Sequence, residues 1–99
     1  MIREITLLTQ DDLDKIKHYA ELKFSLSQIA TMLTVDVAQL RVSIMDPKSD
    51  VAMAYNAGKL LSSVKRRETI FAAAEKGQEW AIKLMDQYEI DQIEDELMP

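Results

Sequence analysis

The sequence predicts an all-α fold: a tri-helical N-terminal region with a helix-turn-helix layout, then a long helix and a C-terminal helix. Apolar residues recur at three- and four-residue spacing along nearly the whole chain. Glycine and proline number two each, and Val, Ile, Thr and the aromatics form no alternating run beyond the first eight residues.

Composition bounds the rest. Apolar residues make up 47% and charged residues 29% of 99 residues, which fits one compact unit burying about 60 to 65% of its unfolded surface and therefore expected to lean on a partner. There is no cysteine, so disulfides and thiolate metal sites are excluded. The start "MIREITLLTQDD" lacks the long apolar core of a signal peptide, and no run approaches the roughly 20 apolar residues of a membrane span. A soluble protein is expected. The net charge of −5 is uneven. Residues 1–48 carry six basic and seven acidic side chains, 49–76 five and three, and 77–99 one and seven. The tail sets the overall sign.

Thr9 is placed to cap a first helix over about 10–22, with Asp12 three residues on and Leu13, Ile16 and Ala20 as its inner face. Ser25 and Gln28 form a capping box for a short second helix whose face is Leu26, Ile29, Ala30 and Leu33. Thr34–Asp36 is the turn. Asp36 caps a third helix with Val37, Leu40 and Ile44 inward, and Pro47 ends it. Ser49 then caps a helix of about 40 Å that runs to "EKG" at 75–77. Gly77 is a C-terminal stop signal, after which "QEWAIKLMDQYEIDQIEDELMP" resumes as a final helix with an acidic end. The expected organisation is a helix-turn-helix region over 1–48, a helical hairpin over 49–88 suited to assembly, and an acidic tail over 89–99, all in one compact unit.

Residues 10–46 resemble the helix-turn-helix family: Ile29 and Ala30 in the second helix, Leu33 before the turn, Val35 after it and Leu40 in the third helix. Ala30 is small where two crossing helices touch. Thr34 departs from the pattern, since the family usually has glycine there to take a left-handed conformation. Projecting the third helix at about 100° per residue puts Ala38, Val42 and Met45 at its outward centre, flanked by Gln39 and Arg41. Specific base reading favours Arg, Asn or Gln. The outward Val42 and Met45 therefore have two readings, a groove-facing surface or a face covered by the long helix or another subunit, and the second is preferred here. Ser25, Ser27 and Gln28 at the second helix's start suit phosphate contact.

The long helix carries "GKLLSSVKRRE", whose Lys59, Lys65, Arg66 and Arg67 are the only basic concentration in the chain and can track phosphates or simply face solvent. On its other side Met53, Ala57, Leu60, Val64, Phe71 and Ala74 repeat at helical spacing, broken by Arg67. This stripe suits either a seam between subunits or the chain's own core. Gly58, with Ala54 one turn earlier, permits close approach of a helix from this chain or another. In the last helix Trp80, Ala81, Leu84, Met85 and Tyr88 form a face expected to dock on the long helix. Ile90, Ile93 and Leu97 form a second stripe among carboxylates, suited to a partner helix or to a disordered end.

Catalytic signals are lacking. His18 stands alone on the polar side of the first helix, the tail carboxylates have no spaced histidines, and no glycine-rich phosphate loop or nucleophile elbow occurs. No catalytic residue, metal or cofactor is expected.

The helix-turn-helix, the proline-marked junction, the long helix and "AAAEKGQEWAIKLMDQYE" together resemble the small, DNA-recognising subunits of tailed-phage terminases over about nine-tenths of the chain. The resemblance implies a non-enzymatic packaging adaptor in the cytoplasm of a bacterial host. Such an adaptor assembles as a homo-oligomeric ring, recognises viral DNA and hands it to a large ATPase and nuclease subunit. Because the cations lie on the long helix and the third helix offers only Arg41 and Gln39, any DNA binding is expected to be weak, salt-dependent and poorly sequence-specific. The alternatives are a helical protein-interaction module, suggested by the apolar outward face of the third helix, and a small transcriptional regulator, which needs a two-fold dimer.

Overall fold

The computed structural model describes residues 1–98. Among the described residues, a 3-10 turn at Ile5–Leu7 is followed by five α-helices: α1 (Gln10–Glu21), α2 (Leu26–Leu33), α3 (Val37–Met45), α4 (Asp50–Glu75) and α5 (Glu79–Leu97). The all-α expectation holds, with three short helices ahead of a long one. The chain separates into Met1–Ser63 and Val64–Pro99, so the break falls inside α4.

Caps set the helix ends. Thr9 Oγ1 accepts from the Asp12 backbone N–H at 3.2 Å while Asp12 accepts from the Thr9 N–H at 2.9 Å. Ser25 and Gln28 make the same reciprocal pair at α2. The Gln39 N–H donates to Asp36 at the start of α3, and the Ala52 N–H donates to Ser49 Oγ at the start of α4. Each satisfies a backbone donor that helix geometry leaves open.

Three helices end in the same way. At Lys23, Thr34 and Gly77 the backbone turns left-handed, with φ of 67°, 57° and 83°. In each case that residue's N–H donates to the carbonyl three back and the next N–H to the carbonyl five back. This is the Schellman closure, and glycine normally carries it. Phe24 packs edge-on against Tyr19 at 5.9 Å, supplying the apolar contact that accompanies the motif after α1. Thr34 thus adopts the left-handed geometry of a helix-turn-helix turn without being glycine, and its hydroxyl donates to the Leu33 carbonyl at 2.6 Å.

The core of the first unit is Ile16, Ile29, Ala30, Leu33, Val35, Leu40 and Val51, with Leu13, Leu26, Val37, Ile44 and Tyr55 partly buried against it. Val51 and Tyr55 bring the start of α4 onto the three-helix body. Gly58 is packed within the chain rather than offered to another: a Cβ there would strike the Lys17 carbonyl oxygen and come within 2.8 Å of Ala20 Cβ on α1. The N-terminal segment is tied down as well. The Arg3 N–H donates to the Thr34 carbonyl at 2.6 Å, and its guanidinium reaches both Asp12 and the Leu33 carbonyl.

In the second unit Ile70 and Ala81 are buried, while Ala73, Ala74, Met85 and Tyr88 are half-buried. The expected docking face of the last helix is only partly used: Ala81, Met85 and Tyr88 turn inward, but Trp80 is 53% exposed and Leu84 is exposed too. The guanidinium of Arg67 lies 3.9 Å from the centre of the Tyr88 ring. This contact explains the basic residue that breaks the apolar stripe of α4, because the aromatic face attracts the cation. The acidic end is helical through Leu97, and its last residue, Pro99, lies outside the described residues.

Candidate nucleic-acid interface

The helix-turn-helix brings the start of α2 beside the middle of α3. Ser25 is committed to the capping box, and Ser27 in the first turn of α2 is exposed. Arg41 reaches across from α3, and its Nη2 donates to Ser27 Oγ at 3.3 Å. A cation is thereby held at the positive end of α2, where backbone N–H groups already favour an anion. Gln28 belongs to the same turn, its Oε1 accepting from the Ser25 N–H at 2.9 Å. Ser25, Ser27, Gln28 and Arg41 form one polar patch.

Gln39 lies on the outward side of α3, lining a shallow apolar groove with Ile5, Ala38, Val42 and Ser43. The expectation that Val42 and Met45 are covered by the long helix is overturned: they are 68% and 81% exposed. The reason is geometric, since α4 meets the three-helix core through Val51, Ala54 and Tyr55 and leaves the outer side of α3 open. The outward surface of α3 is therefore an accessible ridge of Ala38, Gln39, Arg41, Val42 and Met45.

The basic residues of α4 separate. Lys59 is in the first unit, with Nζ 5.4 Å from the centre of the Tyr55 ring. Lys65, Arg66 and Arg67 belong to the second unit, where Arg67 is engaged with Tyr88 and the Lys65 carbonyl accepts from the Thr69 hydroxyl. The residues expected at a subunit or partner interface are largely uncovered. Met53, Leu60, Val64 and Phe71 are exposed and Ala57 is half-buried, while Ile90, Ile93 and Leu97 are exposed on α5.

The ionisable groups with perturbed behaviour lie away from this patch. Asp12 is held well below the usual carboxylate range, first by the Arg3 guanidinium and then by the Thr9 backbone N–H; Arg3 is raised in turn by Asp12. Both effects are structural, because the pair is spent on joining helices. Among the described residues no group of three His, Cys, Asp or Glu could hold a metal ion, and no helix is long and apolar enough to cross a membrane.

Sequence reasoning used Asp12 only as a local capping residue and gave Arg3 no role; their pairing joins segments with no periodic signal between them. Comparison with protein-family models, curated proteins and solved structures finds no match to this chain.

Proposed function

We propose that this protein is a non-enzymatic DNA-binding adaptor of the small-terminase kind. In this reading the ridge of α3 enters a groove and the start of α2 meets the phosphate backbone. The copies associate through the apolar stripe of α4, and the acidic end of α5 contacts a partner such as a packaging ATPase. The observation that carries the reading is the Arg41–Ser27 contact, which sets a cation over the amino end of α2 on an otherwise open helix-turn-helix face. Arg41 is the one guanidinium on α3, so base discrimination is weak and most affinity comes from phosphates. The test is duplex binding by two unrelated sequences at low and moderate salt. Binding of both that falls steeply with salt and weakens in Arg41→Glu supports the adaptor; tight, salt-resistant binding of one sequence argues for a regulator.

A second reading, a helical protein-interaction module, is favoured by the exposure of Val42 and Met45, because an apolar ridge suits a protein partner as well as thymine methyls. Light-scattering mass separates the classes: a large ring favours the packaging adaptor, a dimer the regulator and a monomer the module.

A further inference from the structure

We propose that the cleft between the α1–α2 turn and α4 is a phosphate clamp, in which Lys23 and Lys59 hold a phosphodiester of the DNA backbone beside the start of α2. The proposal rests on the DNA-binding reading and adds a site that the helix-turn-helix face does not include. The cleft has a volume of about 320 Å³ and is lined by Lys23, Phe24, Ser25, Tyr55, Lys59 and Ser63, with Ala20 at its floor. Its side chains supply two cations and three hydroxyls, and no carboxylate lines it. In a chain of net charge −5 that is a marked local inversion of sign.

Both cations are placed by the fold and neither is used up by it. Lys23 occupies the left-handed position of the turn after α1, its N–H donating to the Ala20 carbonyl at 3.0 Å, and the exposed residue lines the cleft. Lys59 rests over the Tyr55 ring, whose face tolerates a cation without neutralising it. Among the described residues neither lysine forms an ion pair. Gly58, immediately before Lys59, lets α4 press onto the Lys17 carbonyl and Ala20, which fixes the distance across the cleft before any ligand arrives.

Position selects the ligand. Ser25 lines the cleft and also caps α2, and the same turn carries Ser27 in contact with Arg41. A phosphate in the cleft would sit next to the amino end of α2, whose first turn also carries Ser27 and its contact to Arg41. A nucleic-acid strand presents successive phosphates to two such neighbouring cationic places; a free phosphate or phosphorylated metabolite presents one and leaves the other idle.

The experiment uses the full chain, two unrelated fluorescent duplexes, and the variants Lys23→Gln, Lys59→Gln and the pair, with Lys15→Gln as control because Lys15 is bound to Asp11 at 3.2 Å on α1 and lies outside the cleft. Each cleft substitution should lower the slope of log K against log salt by about 0.9, equally for both duplexes, with melting temperature unchanged in Lys23→Gln and only slightly lowered in Lys59→Gln, which also loses its contact with the Tyr55 ring. Lys15→Gln should leave the slope alone. In the second arm inorganic phosphate, set against chloride at equal ionic strength, should neither raise the melting temperature nor displace DNA beyond the ionic-strength effect. Wild-type binding with unchanged slopes in the cleft variants, or an equal loss in Lys15→Gln, overturns the clamp and leaves the DNA reading standing. Saturable stabilisation by inorganic phosphate that needs both lysines assigns the cleft to a free phosphate and overturns the backbone proposal. Failure of the wild-type chain to bind either duplex overturns both.

Discussion

Arg3 donates to both carboxylate oxygens of Asp12 at 3.0 Å, and the same guanidinium donates twice to the Leu33 carbonyl at 3.1 and 2.9 Å. One side chain therefore joins the N-terminal segment, the first turn of α1 and the last turn of α2. Asp12 at the amino end of α1 and Arg3 at the carboxyl end of α2 each match the local helix dipole.

The pair gives a pH-dependent prediction. Because the folded state depresses the Asp12 carboxyl below its ordinary range, its contribution is complete above about pH 4 to 5 and declines as acid protonates it. Asp12→Asn should melt well below wild type at pH 7, and the gap should narrow steadily toward pH 2. Loss of the reciprocal cap in Asp12→Ala alone costs about 1 kcal/mol. A gap that stays constant with pH would remove the ion pair from the account.

The left-handed turns predict stabilising changes. Thr34 is β-branched at φ 57°, a conformation in which a Cβ crowds the backbone. Thr34→Gly should raise stability by about 0.5 to 1 kcal/mol, or several degrees in melting temperature for a domain of this size, after the loss of the hydroxyl bond to Leu33. Gly77→Ala should do the reverse by about 1 kcal/mol, through backbone strain alone, since a Cβ there meets nothing within 4 Å.

Gly58→Ala tests the packing of α4 on α1. Alanine is the better helix former by about 1 kcal/mol, which by itself would stabilise. Here its methyl meets a backbone carbonyl that cannot rotate away. We expect a net loss of about 1 to 3 kcal/mol, read by thermal melting; a gain would mean that α4 is free to shift away from α1.

These cases show which features the sequence makes legible. Helix ends at Thr9, Ser25, Asp36 and Ser49 follow from short-range hydrogen bonding, and their signals lie within three or four residues of one another. The inward faces of α1 to α3 follow from periodicity. Four features do not. The Arg3–Asp12 pair depends on where an irregular segment lies. Lys23 and Thr34 occupy positions where composition leads one to look for glycine. The exposure of Val42 and Met45 depends on the direction in which α4 leaves Pro47, a tertiary choice without a local marker. The basic run of α4 reads as one patch in sequence, but Lys59 belongs to one unit and Arg67 is spent on an aromatic ring in the other.

The open ridge of α3 makes Val42→Asp informative. With the residue 68% exposed, a carboxylate is solvated, and the melting temperature of the isolated chain should stay within the equivalent of about 0.5 kcal/mol. Placed in a groove, that carboxylate opposes the phosphates, so duplex binding should fall sharply. A large drop in melting temperature at high protein concentration, absent on dilution, would show instead that another copy covers the ridge.

The acidic end of α5 supports the last prediction. Ile90 and Ile93 are exposed, Leu97 is 79% exposed, and the stripe they form is flanked by Glu89, Asp91, Glu94, Asp95 and Glu96. Removing residues 89–99 deletes these five carboxylates and no base, taking the net charge from −5 to zero. The first unit has its own core and caps, so the main melting transition should move little. The remaining α5 keeps Ala81, Met85 and Tyr88, and with Tyr88 the contact to Arg67. Two properties should change. Assembly or partner capture, which the exposed aliphatic stripe is suited to mediate, should be lost, as read by light-scattering mass and by binding to a purified packaging ATPase. Duplex affinity should rise at low salt, because the like-charge field opposing DNA is gone, and the rise should vanish as salt screens it. A truncated chain that melts far lower at every concentration would place the stripe in the protein's own core. Unchanged mass together with unchanged partner binding would leave the stripe without a role in assembly.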